Sequence, residues 1–187
     1  YNPSHMFGLF SAFNPDVVKD MELYKSSIPS KYGGRISSVL DINGREGNKK
    51  EFTGAASIGL LTSRVTVEGP IQKDKGSFIL GGRMTYSDWL LKKLPKKSGY
   101  RDGQAGFYDI NASINHQFDA RNTIYVNGYY SQDRFRFQET ELYKYRNTNA
   151  SAKWRRVFSP KVTGIFTGGY DHYDYNIENT ENQANAY

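Results

Sequence analysis

Cysteine is absent from the 187 residues, which excludes a disulfide scaffold, a zinc–thiolate site and a thiol nucleophile. Long apolar runs are absent too. The cleanest, Ile58-Gly59-Leu60-Leu61, is far short of the ~18 residues that a transmembrane helix needs, so a helical membrane protein is excluded. Tryptophan is scarce, at two residues, and hydrophobic residues make up 37% of the chain, enough for a soluble core. Only three histidines are present, His5, His116 and His172, far apart and without metal-ligand spacing. There is no Gly-x-Ser-x-Gly, Walker loop or Cys-x-x-Cys. The Gly-Gly-Arg triplets at 33–35 and 81–83 are not phosphate loops, because no helix is expected after either. Tyr170-Asp171-His172-Tyr173-Asp174 is the one stretch resembling an acid–base or metal cluster. On a strand, Tyr170, His172 and Asp174 face away from Asp171 and Tyr173, which splits it. No enzymatic activity, cofactor or metal is expected.

Aromatic residues and glycine are plentiful: 15 Tyr, 11 Phe and 18 Gly. Spread along polar-alternating segments, they suit membrane-crossing strands with interfacial aromatic girdles. Composition alone fits a Tyr-rich soluble β-sandwich equally well. The net charge of +6 suits nucleic acid, anionic lipid or simple solvation. No signal peptide is visible, and the opening Tyr-Asn-Pro suggests a segment of something longer.

The organisation changes near residue 42. Before it, Pro3, Pro15 and Pro29 interrupt irregular apolar positions. Residues 17–24 read as one strand after the turn signal Asn14-Pro15-Asp16. Residues 36–42 read as a second, after Tyr32-Gly33-Gly34-Arg35, where the glycine pair permits a tight turn. Residues 43–50 form a polar connector.

From residue 51 the chain becomes a series of period-2 segments: 51–61, 64–71, 77–91, 107–118, 123–136, 147–158 and 162–176. The cleanest puts Tyr108, Ile110, Ala112, Ile114, His116 and Phe118 on one face. Asp109, Asn111, Ser113, Asn115 and Gln117 fall on the other. No helix with a single apolar face fits that pattern. Several segments are far longer than the about 5–6 residues of an average soluble strand and meet the roughly 9–11 of a membrane-crossing one. The polar faces also carry Arg83, Lys153 and Arg155, which a second packed sheet could not accept without partners. Short turns at 72–76, 119–122 and 159–161 alternate with longer loops at 92–104, 138–146 and beyond 177, as in outer-membrane barrels. The tight turn at Leu61-Thr62-Ser63 breaks that alternation. The fold class is therefore all-β, antiparallel strands of a transmembrane barrel.

Residues 31–42, KYGGRISSVLDI, preceded by NPDVVKDMELYKSSIP at 14–29, resemble the closing part of the plug in TonB-dependent outer-membrane receptors. Residues 56–91 look like the first barrel strands of the Bacteroidota type, above all EGPI before a charged turn and SFILGGRMTY after it. The resemblance implies two regions: residues 1–42, the C-terminal part of a plug, and residues 43–187, the first strands of a barrel of about 22. It makes Tyr32, Gly33, Gly34 and Arg35 the plug–barrel junction. Seven strands cannot close such a barrel, so a fragment with two open edges is expected. The implied function is TonB-coupled import of a scarce nutrient of the siderophore, cobalamin or oligosaccharide class, in the bacterial outer membrane. The alternative is a non-transporting barrel subunit of a surface adhesion or assembly complex.

A stoppered lumen needs polar wall residues that grip the plug reversibly. The candidates are Arg64, Glu68, Arg83, Asp109, Asn111, Asn115, Lys153 and Arg155, and for any one of them taken singly a solvated or structural wall residue is the favoured reading. Lys92, Lys93, Lys96, Lys97 and Arg101 form a basic cluster in an extracellular loop. It suits lipopolysaccharide phosphates, an anionic substrate or solvent. Implied partners are the TonB–ExbB–ExbD energising complex, acting through a plug segment outside this chain, outer-membrane lipid and lipopolysaccharide, and a surface lipoprotein lid. Nucleic acid is not expected, although basic and aromatic residues mix at 133–136. Asn111-Ala-Ser and Asn149-Ala-Ser match the glycosylation pattern, which carries no weight in a bacterial barrel.

Overall fold

The computed structural model describes residues 4–25, 27–33, 37–98, 101, 103–136 and 141–179. Two small antiparallel pairs come first: β1 (Ser4–His5) with β2 (Phe10–Ser11), and β3 (Val18–Tyr24) with β4 (Val39–Gly44). The rest is one seven-stranded antiparallel sheet of β5 (Thr53–Ile58), β6 (Thr62–Gln72), β7 (Gly76–Thr85), β8 (Gln104–Gln117), β9 (Asn122–Arg136), β10 (Glu141–Ser159) and β11 (Val162–Asn179). Each strand pairs with its sequence neighbour, so the sheet is an unbroken meander whose edges are β5 and β11. The chain is therefore all-β and antiparallel. No helix among the described residues is long and apolar enough to cross a membrane.

The short turns close by local chemistry. Between β6 and β7, Asp74 adopts a left-handed conformation at φ 61°, which a short polar side chain tolerates. Between β8 and β9, the Asp119 carboxylate accepts the backbone N–H groups of Arg121 and Asn122 at 2.7 and 2.8 Å. Asn14 makes the same kind of turn ahead of β3, its side-chain oxygen accepting the Asp16 N–H at 3.1 Å.

Two boundaries differ most from the sequence reading, each by six residues, while the others move by three or fewer. The alternation expected through residue 91 ends at Thr85, and Asp88–Leu91 form a helical turn, α1. There the Ser87 hydroxyl donates to the Ala105 carbonyl, and the Asp88 carboxylate accepts the Ala105 N–H at 2.9 Å. These polar groups bind the neighbouring strand and turn the chain out of the ladder. The loop expected at 138–146 is shorter, because β10 already begins at Glu141. Stacked rings extend the ladder upward: Phe135 on Tyr143 at 5.0 Å and Tyr145 on Tyr175 at 4.9 Å.

The polarity of the large sheet is inverted relative to a water-soluble one. One face carries Val65, Val67, Leu80, Met84, Tyr108, Ile110, Ile114, Val126, Trp154, Phe166 and Tyr170, all exposed. The other carries Asp109, Asn115, Ser131, Asp133 and Asn147, all buried. Leu80 and Ile110 are 48% and 47% exposed, whereas Asp109 and Asp133 are 1% and 2%. What covers the polar face is the chain's own N-terminal segment.

Candidate functional site

Cross-strand register fixes which side chains share the covered face. Arg64 lies opposite Arg83, Arg83 opposite Asp109, Asp109 opposite Ser131, and Ser131 opposite Asn147. Because side chains alternate along each strand, Glu68, Asn111, Asn115, Lys153 and Arg155 fall on the same face. The segment before the sheet grips this face at three places.

The first grip is centred on His5, whose side chain is wholly buried. Its Nδ1 lies 2.7 Å from Asp133 Oδ2, and its Nε2 lies 3.2 Å from the Tyr129 hydroxyl and 3.5 Å from Asp109 Oδ2. The ring stacks on Phe107, centroids 4.1 Å apart and planes 8° from parallel. Arg83 donates to Asp109 from Nε at 2.8 Å and Nη2 at 2.5 Å, and Nη2 also donates to the Ser11 carbonyl at 2.8 Å. The Met6 N–H adds a bond to Asp133 Oδ1 at 3.2 Å. β1 and β2 are thus held to β7, β8 and β9 by charge-assisted hydrogen bonds, the stronger kind.

The second grip joins Asp16 to β6. Its carboxylate lies 3.3 Å from Arg64 Nε and accepts the Thr66 hydroxyl at 3.5 Å. Beside it, Val17 and Asn14 press on Gly81. A Cβ built there would lie 2.8 Å from Val17 Cγ1 and 3.2 Å from Asn14 Nδ2. Any larger residue would push this loop off the wall.

The third grip is at the connector. Arg45 Nη1 donates to both Glu68 oxygens at 3.0 and 2.8 Å, and the Asn48 N–H donates to Glu68 at 2.9 Å. Arg45 Nε also bonds the Asp16 carbonyl at 3.0 Å. One arginine therefore ties β4, the loop before β3 and the wall together. Gly47 runs so close to β7 that an added Cβ would meet the Phe78 carbonyl oxygen at 2.1 Å.

Between the grips, the covered face carries mostly amides and hydroxyls. Asn115 Nδ2 donates to Ser77 at 2.8 Å, the Ser113 hydroxyl to Asn127 at 2.8 Å, and Asn147 Nδ2 to Ser131 at 3.0 Å. Next to it a cavity of about 690 Å³ opens between the β3–β4 hairpin and β8–β10, lined by Lys19, Asp20, Asn43, Tyr125, Asn127 and Lys153 among others. Lys153 caps the Tyr125 ring at 4.6 Å. Asn111 donates to Asp109 at 3.4 Å, and Arg155 is exposed near the β11 edge.

The remaining candidates do not converge. Tyr32 donates its hydroxyl to Asp41, with Lys31 4.5 Å above its ring. Gly33 is exposed, has open space around it and does not take a left-handed φ, so its own position does not require glycine. Gly34 and Arg35 lie outside the described residues. Lys92, Lys93 and Lys97 are exposed and Arg101 is half-buried. Lys96 begins a 3₁₀ turn to Ser98. His172 bonds Asp174 at 3.0 Å on the apolar face, away from Asp171 and Tyr173. Among the described residues no group of three or more His, Asp or Glu side chains is placed to hold a metal ion.

His5, Asp16, Arg45 and Asp133 were not among the candidate site residues read from the sequence. The available signal was acidic residues at polar-face positions of β8 and β9, which demand cations from elsewhere in the chain. No family model, curated protein or solved structure matches the chain.

Proposed function

We propose that this chain is the plug-to-barrel portion of a TonB-dependent receptor that imports a scarce nutrient across the bacterial outer membrane. The reading rests on the inverted sheet. A contiguous apolar face spanning the meander is far larger than the patches soluble monomers leave in water, and hydrocarbon is the solvent that suits it. From Tyr108 to Phe118 the strand rises about 33 Å at about 3.3 Å per residue. Tilted by about 40°, that is about 25 Å, the height of the apolar band of outer-membrane barrels. Aromatic rings bound the band: Tyr108 and Tyr130 at one margin, Phe118, Trp154 and Phe158 at the other.

On this reading the covered face is a lumen wall, residues 1–42 belong to the stopper and the connector 43–50 joins the two. The stopper is held by separable polar contacts rather than by an apolar core, so a pull from TonB can release it without unfolding the wall. The chain performs binding and transport, not catalysis. The energising complex, outer-membrane lipid with lipopolysaccharide, and a surface lipoprotein are its partners under this proposal.

The test is a pair of substitutions in the intact protein expressed in its own envelope. Ile114→Arg places a charge on the apolar face opposite Val126, midway along the band, where the cost in a bilayer is about 2–4 kcal/mol. Asn149→Lys places one on the polar face. The expected result is loss of folded, heat-modifiable protein from the outer-membrane fraction for Ile114→Arg and near-normal levels for Asn149→Lys. A soluble Ile114→Arg protein at normal yield would overturn the proposal.

A further inference from the structure

The group around His5 contains two buried carboxylates and two bases. Arg83 comes from β7, Asp109 from β8, and Asp133 and Tyr129 from β9. Tyr145 of β10 lies opposite Asp133 in the ladder, and Tyr173 of β11 is within electrostatic reach of Asp133. Phe107 and Phe10, 5.3 Å apart, close the group off with rings.

Counting formal charges, Arg83 and a protonated His5 balance Asp109 and Asp133. Among the described residues of this group, a neutral His5 leaves one buried negative charge without a counter-ion, a costly arrangement at 1–2% exposure. A neutral imidazole also has a single N–H. It can serve Asp133 through Nδ1, but Nε2 then offers a lone pair toward Asp109, where the imidazolium offers a proton. Burial lowers the His5 pKa, and the hydrogen bonds and charges of Asp109 and Asp133 more than offset this, leaving it above the ordinary 6.5. His5 also ties β1 to the sheet through its side chain, 128 residues from its partner Asp133.

We propose that His5, Asp109, Asp133 and Arg83 form a proton-operated catch. With His5 protonated, residues 4–13 are locked on the sheet; when His5 loses its proton, that segment alone lets go. The sign follows from linkage. A group with a raised pKa in the closed state stabilises that state fully below 6.5, and the stabilisation is lost as pH rises through the raised value. The opening constant therefore rises by at most about tenfold per pH unit across that window and is flat above it. The catch stands whether or not the sheet is part of a barrel. If it is, the catch makes the end of the stopper facing β7–β9 sensitive to the proton activity around it.

The test is hydrogen exchange read by mass spectrometry on the intact protein from pH 5.5 to 9, as protection factors corrected for intrinsic rates. Wild type is expected to lose protection at residues 4–13 as pH rises past 6.5, while β8 and β9 keep theirs. His5→Gln, which can still donate to Asp133 but cannot titrate, is expected to show no step. Flat wild-type protection, a step that persists in His5→Gln, or simultaneous loss in β8 and β9 overturns the catch. Should His5→Gln fail to fold, Asp133→Asn carries the test. A step moved to lower pH supports the catch, and an unmoved step overturns it.

Discussion

Arg45 shows at the residue scale how the covering segment is fastened. Its guanidinium takes both oxygens of Glu68 and the Asp16 carbonyl, while remaining partly open to solvent at 38%. Its pairing with Glu68 falls between an exposed ion pair and a buried one. A double-mutant cycle with Arg45→Met and Glu68→Gln, read from chemical unfolding, should give a coupling of about 1 kcal/mol. Gly47 is less forgiving, because its neighbour is backbone. Gly47→Ala must lift the connector from β7 at a cost of about 1–3 kcal/mol, and faster proteolysis near residues 45–50 would report it. Gly33→Ala, in open space, should leave the same cleavage rate unchanged.

At the scale of elements, the β8–β9 turn depends on one carboxylate. Hydrogen bonds from the Asn122 side chain, and from the Arg121 and Asn122 backbones, hold the Asp119 pKa below its ordinary 3.8. A depressed acid stabilises above its unfolded pKa and loses that contribution as pH falls through the folded value. Asp119→Ala should therefore speed exchange of the amides at 118–122 a few-fold at neutral pH, and the difference from wild type should vanish in strong acid. Equal rates at neutral pH would show that the turn closes without the side chain. Most of the strands were legible in the sequence because one face is largely apolar and the other largely polar, although 162–176 alternates less cleanly than the rest. β8 is the clearest case: Asp109 to Gln117 and Tyr108 to Phe118 separate by parity alone. The strand ends were less legible. At Ser87 and Asp88 a side chain competes for backbone groups, and at 141–146 rings on neighbouring strands prolong the ladder. Neither effect is visible in a single segment's periodicity. The wall side of the candidate site was legible for the same reason as the strands. The gripping side was not, since His5, Asp16 and Arg45 find their partners across long sequence separations.

For the whole molecule, the meander leaves β5 and β11 as edges and one face predominantly apolar across its strands. Edges of that kind attract other strands, and on the proposed reading those strands are further barrel wall. The covering segment is then the only obstacle on the polar side. Deleting residues 4–50 from the intact protein should raise outer-membrane permeability to bulky hydrophilic antibiotics while the protein still fractionates with the membrane. Unchanged antibiotic sensitivity with normal protein levels would argue against a stopper.

The order of the chain has a consequence for biogenesis. The described residues between 4 and 50 precede every strand of the sheet they lie against, and Gly47 passes against β7 with no space to spare. Threading that segment in after the wall had closed would require moving a hairpin, β3–β4, through a finished opening. On the proposed reading, synthesis and export from the N-terminus would remove the difficulty. The segment is present before its wall exists, and each strand from β6 to β9 can be laid down against it. The Arg45–Glu68 and Asp16–Arg64 contacts can form as soon as β6 arrives, and the His5 group only when β8 and β9 follow. Assembly would then proceed as wrapping rather than insertion, with the earliest contacts nearest the connector and the latest at the N-terminal end.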